Sequence, residues 1–238
     1  MTHPGQSFEK FAETGKFEGG NFAITHRDAN AVLTVTLEDQ VQLLSETGAM
    51  IHMSGSIKLD AKTKVSWKRF LLDDMTHSTY TGPGTVTIGP PFLGDVFALP
   101  VNSAVDTRTW VMRREAALAW TSGVTKTIKK QNFKNTFWHD EPYHVYELGG
   151  NGIMFLTGFG AVDRIDLKEG QTHFVDNGHS IAWTCSYSVV KAGGSWLKSS
   201  RTGEGRILQF EGPGSIFIQT RRLDEFEELV QACFPDTE

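Results

Sequence analysis

Along Ala31–Leu37, threonines alternate with Leu33, Val35 and Leu37, a period of two that gives a strand one apolar face. Glu38-Asp39-Gln40 breaks the pattern. Val41 to Leu44 resumes it, and Glu46-Thr47-Gly48 turns the chain into Met50–Ser54 and on to Ile57-Lys58-Leu59. The same plan returns late in the chain. Arg164–Leu167 leads to the turn Lys168-Glu169-Gly170, then Thr172–Val175, then Asp176-Asn177-Gly178, where Asn-Gly marks a tight turn because both residues tolerate positive φ. Short strands with frequent turns and no long helical period predict a β-sandwich or barrel. The one helical period lies at the C-terminus, over Leu223–Phe234. There Leu223, Phe226, Val230 and Cys233 share a face, acids crowd the first turn and Pro235 follows the end, which predicts a helix docking this stripe on the β body.

The strands are organised around a recurring turn. Gly82-Pro83-Gly84-Thr85-Val86-Thr87-Ile88 has the same form as Gly150-Asn151-Gly152-Ile153-Met154-Phe155-Leu156 and Gly212-Pro213-Gly214-Ser215-Ile216-Phe217-Ile218, at spacings of 68 and 62 residues. A second block keeps phase with it: Met50-Ile51-His52-Met53-Ser54, Ala117-Leu118-Ala119-Trp120-Thr121 and Ser180-Ile181-Ala182-Trp183-Thr184 lie 67 and 63 residues apart. Two patterns recurring in step predict one unit copied three times. The expected fold is all-β: three tandem repeats forming a pseudo-threefold barrel or sandwich, followed by the short helix. The expected organisation is an N-terminal arm over 1–30, a single domain of three repeats over 31–222 (about 31–95, 96–161 and 162–222), and a helix and tail over 223–238. Met53, Trp120 and Trp183 become repeat-related core residues, and Gly82, Gly84, Gly150, Gly152, Gly212 and Gly214 become turn glycines.

Composition changes this picture little. A chain of 238 residues buries enough surface to fold without staples. A net charge of −5 argues against general affinity for DNA or anionic membranes. Cys185 and Cys233 make neither a disulfide framework nor a CxxC metal site, which fits a reducing, cytoplasmic setting. No apolar run is long enough for a transmembrane helix. Met1–Gly20 contains Glu9, Glu13 and Glu18 and no arginine, so it does not read as a secretory or mitochondrial leader.

Gly48–Ser54, Gly82-Pro83-Gly84 through Gly89-Pro90-Pro91-Phe92-Leu93-Gly94-Asp95, Asp176-Asn177-Gly178-His179 with Ala182-Trp183, and Gly212-Pro213-Gly214 to Gln219-Thr220-Arg221 together resemble the altered inheritance of mitochondria protein twenty-four family. The similarity runs from about Ala31 to Arg222. It implies a fold like that of the tryptophan RNA-binding attenuation protein and a link to mitochondrial organisation. It implies no catalytic residues, because the family has no established biochemical activity.

Chemistry must therefore be sought in the residues themselves. Phe70–His77 and Phe137–His144 each place two acids before a histidine, so Asp74, His77, Glu141 and His144 are the candidates for a catalytic or metal-binding cluster between repeats. Because an acid recurs in all three copies (Asp74, Glu141, Glu204), a structural role at a turn explains it more simply. The Gly-x-Gly turns lack the lysine and hydroxyl of a phosphate loop, and no cofactor or metal motif is present. Lys126–Lys134, followed by Phe137 and Trp138, interleaves charge and aromatics as an RNA-binding segment does. Three readings follow: a noncatalytic β scaffold that binds a protein partner or itself, a small-molecule binder or enzyme with a pocket between repeats, and an RNA-binding protein.

Overall fold

The computed structural model describes residues 11–61, 77–131, 143–190 and 207–233. The chain divides into two compact units, Lys10–Thr157 and a second that begins at Gly158. The first unit holds β1 (Thr14–Phe17), β2 (Gly20–Thr25), β3 (Val32–Leu37), β4 (Gln42–Glu46), β5 (Met50–Met53), β6 (Lys58–Ala61), β7 (His77–Thr81), β8 (Gly84–Ile88), β9 (Gly94–Asn102), β10 (Val111–Arg113), β11 (Ala117–Thr121), β12 (Val124–Gln131) and β13, which runs over Tyr143–Phe159. The second holds β14 (Val162–Leu167), β15 (Thr172–Asp176), β16 (Ser180–Trp183), β17 (Ser186–Val190), β18 (Ile207–Glu211), β19 (Gly214–Gln219) and the helix α1 (Leu223–Cys233).

In the first unit one antiparallel sheet has the order β1-β2-β3-β8-β5. Another runs β10-β13-β11-β4-β7-β6, with β9 and β12 also laid along β13. The alternation in β3 does what the period of two requires: Leu33, Val35 and Leu37 are buried, while Thr34 and Thr36 face away. Leu33 and Val35 pack in a core with Phe22, Ile24, Val86, Ile88 and Phe155, the last meeting Phe22 edge to face at 5.1 Å. In the second unit β14-β19-β16 and β15-β18-β17 are antiparallel sets.

Several expectations are corrected here. The fold is mostly β with one C-terminal helix, but the sheets do not close into a barrel: β1, β5, β6, β15 and β17 each pair with one neighbour only among the described residues, and closure needs two for every strand. Part of the segment taken as an N-terminal arm is core. β2 pairs with β3 along its whole length, and Phe22 and Ile24 alternate inward. Its period of two was too short to see between Gly19-Gly20 and the charged turn at Arg27-Asp28. Gly150 and Gly152 lie inside the continuous β13 and not at a strand-breaking turn, because Asn151 keeps a backbone bond, donating its N–H to the Gly123 carbonyl at 3.0 Å. Finally, α1 buries no residue completely: of the expected stripe Leu223, Phe226 and Val230 are each 41% exposed and Cys233 is exposed, and Phe226 meets Phe159 edge to face at 5.3 Å, so the stripe is only partly covered.

Three local arrangements share one register. β5 pairs β8 through Met50↔Ile88, His52↔Thr87 and Met53↔Val86. β11 pairs β13 through Ala117↔Leu156, Ala119↔Phe155 and Trp120↔Met154, and β16 pairs β19 through Ser180↔Ile218, Ala182↔Phe217 and Trp183↔Ile216. Each pairing shifts register at the second residue of its strand, the signature of a bulge. The hydroxyl that follows each large side chain then accepts a backbone N–H from the residue after a glycine: Ser54 from Thr85 at 2.7 Å, Thr121 from Ile153 at 3.0 Å and Thr184 from Ser215 at 2.9 Å. The first glycine of two of the turns is fixed by close approach, since a Cβ on Gly82 or Gly212 would lie 2.1 or 2.2 Å from the carbonyl oxygen of Glu38 or Lys168. Both glycines precede cis prolines.

Candidate functional site

The described residues bring one predicted site residue into a polar cluster, and the element pairings explain how. β4 lies between β7 and β11, setting Glu46 opposite His77 and Leu44 opposite Trp120. β12 runs beside β13, setting Ile128 opposite Tyr146 with Lys126 two positions back. Lys126 consequently points its ammonium at the Trp120 face, 3.5 Å from the ring centroid, with Tyr146 at 5.0 Å and Glu46 Oε1 at 3.1 Å. The His77 ring stands edge to face with Trp120 at 6.0 Å.

The Lys126 side chain is 8% exposed, while Glu46 is 43% exposed. An ammonium enclosed this far loses hydration, and the aromatic face and carboxylate replace it. Chemically the cluster is a lock joining β4, β11 and β12, with its cation already committed. Lys129, the next lysine of the basic run, faces the other way and pairs with Glu147 across the ladder. The run therefore does not present its described lysines as one strip. Lys134, Phe137 and Trp138 lie outside the described residues, as do Asp74, Glu141 and Glu204. His144 sits on β13 opposite Lys130, with its side chain outside the described part. Among the described residues, no three His, Cys, Asp or Glu side chains gather as a metal site.

Trp120 and Trp183 are buried, at 6% and 0% exposure, whereas Met53 is half-buried against the core of its unit. Cys185 is buried and Cys233 exposed. In the second unit the motifs that carried the resemblance hydrogen-bond to one another. His179 Nδ1 lies 2.7 Å from the Gln219 carbonyl oxygen, the Gln219 amide donates to the Gly178 carbonyl at 2.9 Å, and its oxygen accepts the Phe159 N–H at 3.0 Å. Asp176 caps Gly178 N–H at 2.8 Å. Arg222 bridges Asp176 at 3.7 Å, Asp224 at 2.5 Å and Glu225 at 3.4 Å, and its hydrogen bond holds the Asp224 carboxyl below its ordinary value. Together these polar groups form a corner that fixes the start of α1.

Two pairings escaped the sequence reading. Lys126 with Trp120 joins two strands that follow one another along β13, through a motif whose sequence reads as an RNA-binding segment. Arg27 with Asp95, at 3.4 Å, joins residues 68 apart in sequence. Burial pushes the Asp95 carboxyl up, and Arg27 offsets this in part. An aspartate at the end of a glycine-proline run was the only available signal for the second pair. No helix among the described residues is long and apolar enough to cross a membrane.

Comparison with known proteins places this architecture. Among curated proteins, an uncharacterized protein of Streptococcus pyogenes serotype M6 is 27% identical over 164 residues, covering 68% of this chain and 64% of its own. Proteins named altered inheritance of mitochondria protein 24, mitochondrial, from Emericella nidulans and Talaromyces stipitatus are 22% and 20% identical, each over 80% of this chain and over 60% and 57% of their own. The chain thus spans 57–64% of the length of these relatives. An X-ray crystal structure of a Streptococcus pyogenes protein matches with a TM-score of 0.73 at 21% identity, covering 90% of this chain and 99% of that one, a likeness of fold. The family described as Mitochondrial biogenesis AIM24 matches residues 22–221, from β2 to the corner before α1. The chain belongs to the mitochondrial biogenesis AIM24 family.

Proposed function

We propose that the protein is a noncatalytic β scaffold, built from three tandem copies of one β unit, that binds a protein partner or assembles with itself. The observation that carries this reading is that large apolar side chains stand exposed on regular elements. Met50 and Ile51 of β5 are 38% and 56% exposed, and Leu223, Phe226, Leu229 and Val230 are exposed on α1. Ordered apolar surface of this kind serves association. The repeated register, bulge and hydroxyl bond support descent from a single unit. The commitment of Lys126 to Trp120 and Glu46 supports a structural role for the cluster that contains His77.

The mitochondrial role comes from the family name and from the names of the fungal relatives. The uncharacterized relative in Streptococcus pyogenes means that the likeness extends beyond organisms with mitochondria. Native mass spectrometry beside affinity capture tests the reading. The expected result is a defined oligomer or a stoichiometric protein partner. A monomer that captures nothing, or one that carries a small molecule it converts, overturns it.

A further inference from the structure

α1 is a helix held at one end and wet along its apolar side. At 11 residues it is shorter than the roughly 12–15 at which an isolated helix becomes marginal in water, so it depends on what anchors it. The anchor is at its start. The Phe226 N–H donates to the Arg222 carbonyl at 3.3 Å, the Arg222 guanidinium ties Asp224 and Glu225 to Asp176, and the Phe226 ring meets Phe159 at 5.3 Å. Past this point Leu229 is 60% exposed, Val230 41%, and Cys233 is exposed. The charge on the helix has one sign: Asp224, Glu225, Glu227 and Glu228, with no lysine or arginine. At about 3.6 residues per turn, Leu223, Phe226, Val230 and Cys233 share one side with Leu229 at its border. Glu227 then flanks the stripe beside Leu223, Glu225 flanks it beside Leu229, and Glu228 lies on the opposite side.

We infer that α1 docks a basic amphipathic helix of another protein, which lays its apolar side chains along Leu223, Phe226, Leu229 and Val230 and sets lysines or arginines beside Glu225 and Glu227. The charges choose this occupant. An apolar stripe bordered on both sides by carboxylates selects a partner of opposite charge, as flanking charges do between paired helices. An anionic lipid surface would meet the same carboxylates with repulsion. So would α1 of a second copy, which has no base to offer, on a chain whose net charge is −5. The anchor at Arg222 presents the helix already folded, which lowers the cost of ordering it on binding. Its length, about 16 Å at 1.5 Å per residue, makes the contact a small and reversible one. The inference rests on the reading that the protein binds a protein partner, and names the surface and the chemistry of that partner.

The test is fluorescence anisotropy of the full chain with a labelled synthetic peptide of about 15 residues, leucine and lysine in amphipathic helical order. Two controls accompany it: the same composition in scrambled order, and the ordered peptide with glutamate in place of lysine. The ordered basic peptide is expected to bind about tenfold more tightly than either control. Leu229→Gln, at an exposed position, should weaken that binding about tenfold at unchanged melting temperature. Glu227→Lys beside the stripe should weaken it about fivefold, and Glu228→Lys, the same charge change on the far side, by less than about twofold. This second comparison decides the matter if Leu229→Gln fails to fold. Equal binding of the scrambled peptide, an affinity untouched by Leu229→Gln, or equal losses from the two charge reversals each overturns the inference. So does retention of the chain on vesicles of phosphatidylcholine and phosphatidylglycerol that Leu229→Gln abolishes, which assigns the stripe to lipid. If the peptide fails while an oligomer or a captured protein persists in the Leu229→Gln chain, this inference falls and the scaffold reading stands, whereas a monomer that captures nothing sinks both.

Discussion

Replacing Trp183 with alanine measures what the Ser180–Thr184 block contributes. The ring is fully buried and meets Tyr187 at 4.9 Å and Phe210 at 5.5 Å, both edge to face. Truncation removes the transferred apolar area, leaves a cavity and breaks two aromatic pairs, so a loss of about 3–5 kcal/mol is expected. Met53 occupies the same register position on β5 but is only half-buried. Roughly half of a buried methionine truncation, about 1–2 kcal/mol, is expected for Met53→Ala. Urea unfolding followed by far-UV circular dichroism avoids dependence on tryptophan fluorescence. At about 2–4 °C per kcal/mol for a chain of this size, Trp183→Ala should lower the melting temperature by about 6–20 °C. A shift below about 2 °C, or a Met53→Ala loss as large as that of Trp183→Ala, refutes the packing argument.

Three further perturbations probe charge. Lys126→Met keeps the stem that packs on Trp120 and leaves Glu46 to water, so it should cost under about 1 kcal/mol, whereas Lys126→Ala should cost about 1–3 kcal/mol by also losing packing; equal losses in chemical denaturation would contradict the lock. Asp224 has a depressed folded-state pKa, so its stabilisation is present above the ordinary carboxylate value and is lost as pH falls through the folded one. Asp224→Asn should therefore lower stability at neutral pH by less than about 1 kcal/mol, the pair being partly exposed, and the difference should vanish in acid; a pH-independent difference would rule out the ion pair as its cause. Asp95 has the opposite sign, because burial raises its pKa and the folded state binds the proton more tightly than the unfolded one. Stability should rise with falling pH across the interval between the ordinary and the raised value. Asp95→Asn should remove that slope in urea midpoints, and a slope that survives the substitution places its origin elsewhere.

What was legible in the sequence was the local repetition. A period of two locates β3 because each buried residue has an exposed neighbour, and the Gly-x-Gly turns locate β8 and β19 because a close carbonyl excludes any side chain. The fate of the second copy was harder to read, since Gly150-Asn151-Gly152 has the letters of a turn, yet Asn151 can still donate its backbone N–H to Gly123 where a proline could not. Lys126 reads only as part of a basic run because the sequence does not show that β11 and β12 follow one another along β13, which brings Lys126 onto the Trp120 face. The acid-histidine blocks named a site whose acids lie outside the described residues. Of the candidate histidines His77 and His144, only His77 has a described side chain, and its ring stands edge to face with Trp120.

Local repetition does not specify closure, and the reason lies in single positions of the three blocks. Ala119 and Ala182 are small enough to be buried completely between neighbouring strands, while His52 at the same register is exposed. Trp120 and Trp183 are likewise buried where Met53 is half-buried. The first copy thus keeps the backbone register, the bulge and the hydroxyl bond of the other two, but carries side chains suited to an edge. A fully buried strand at this register holds an alanine and then a large ring, as β11 and β16 do. A polar residue and a flexible methionine suit a strand that water reaches, as at His52 and Met53. The departure of the first block from the other two is therefore as informative as their likeness, because it separates a strand whose side chains stay exposed from two whose side chains complete a core.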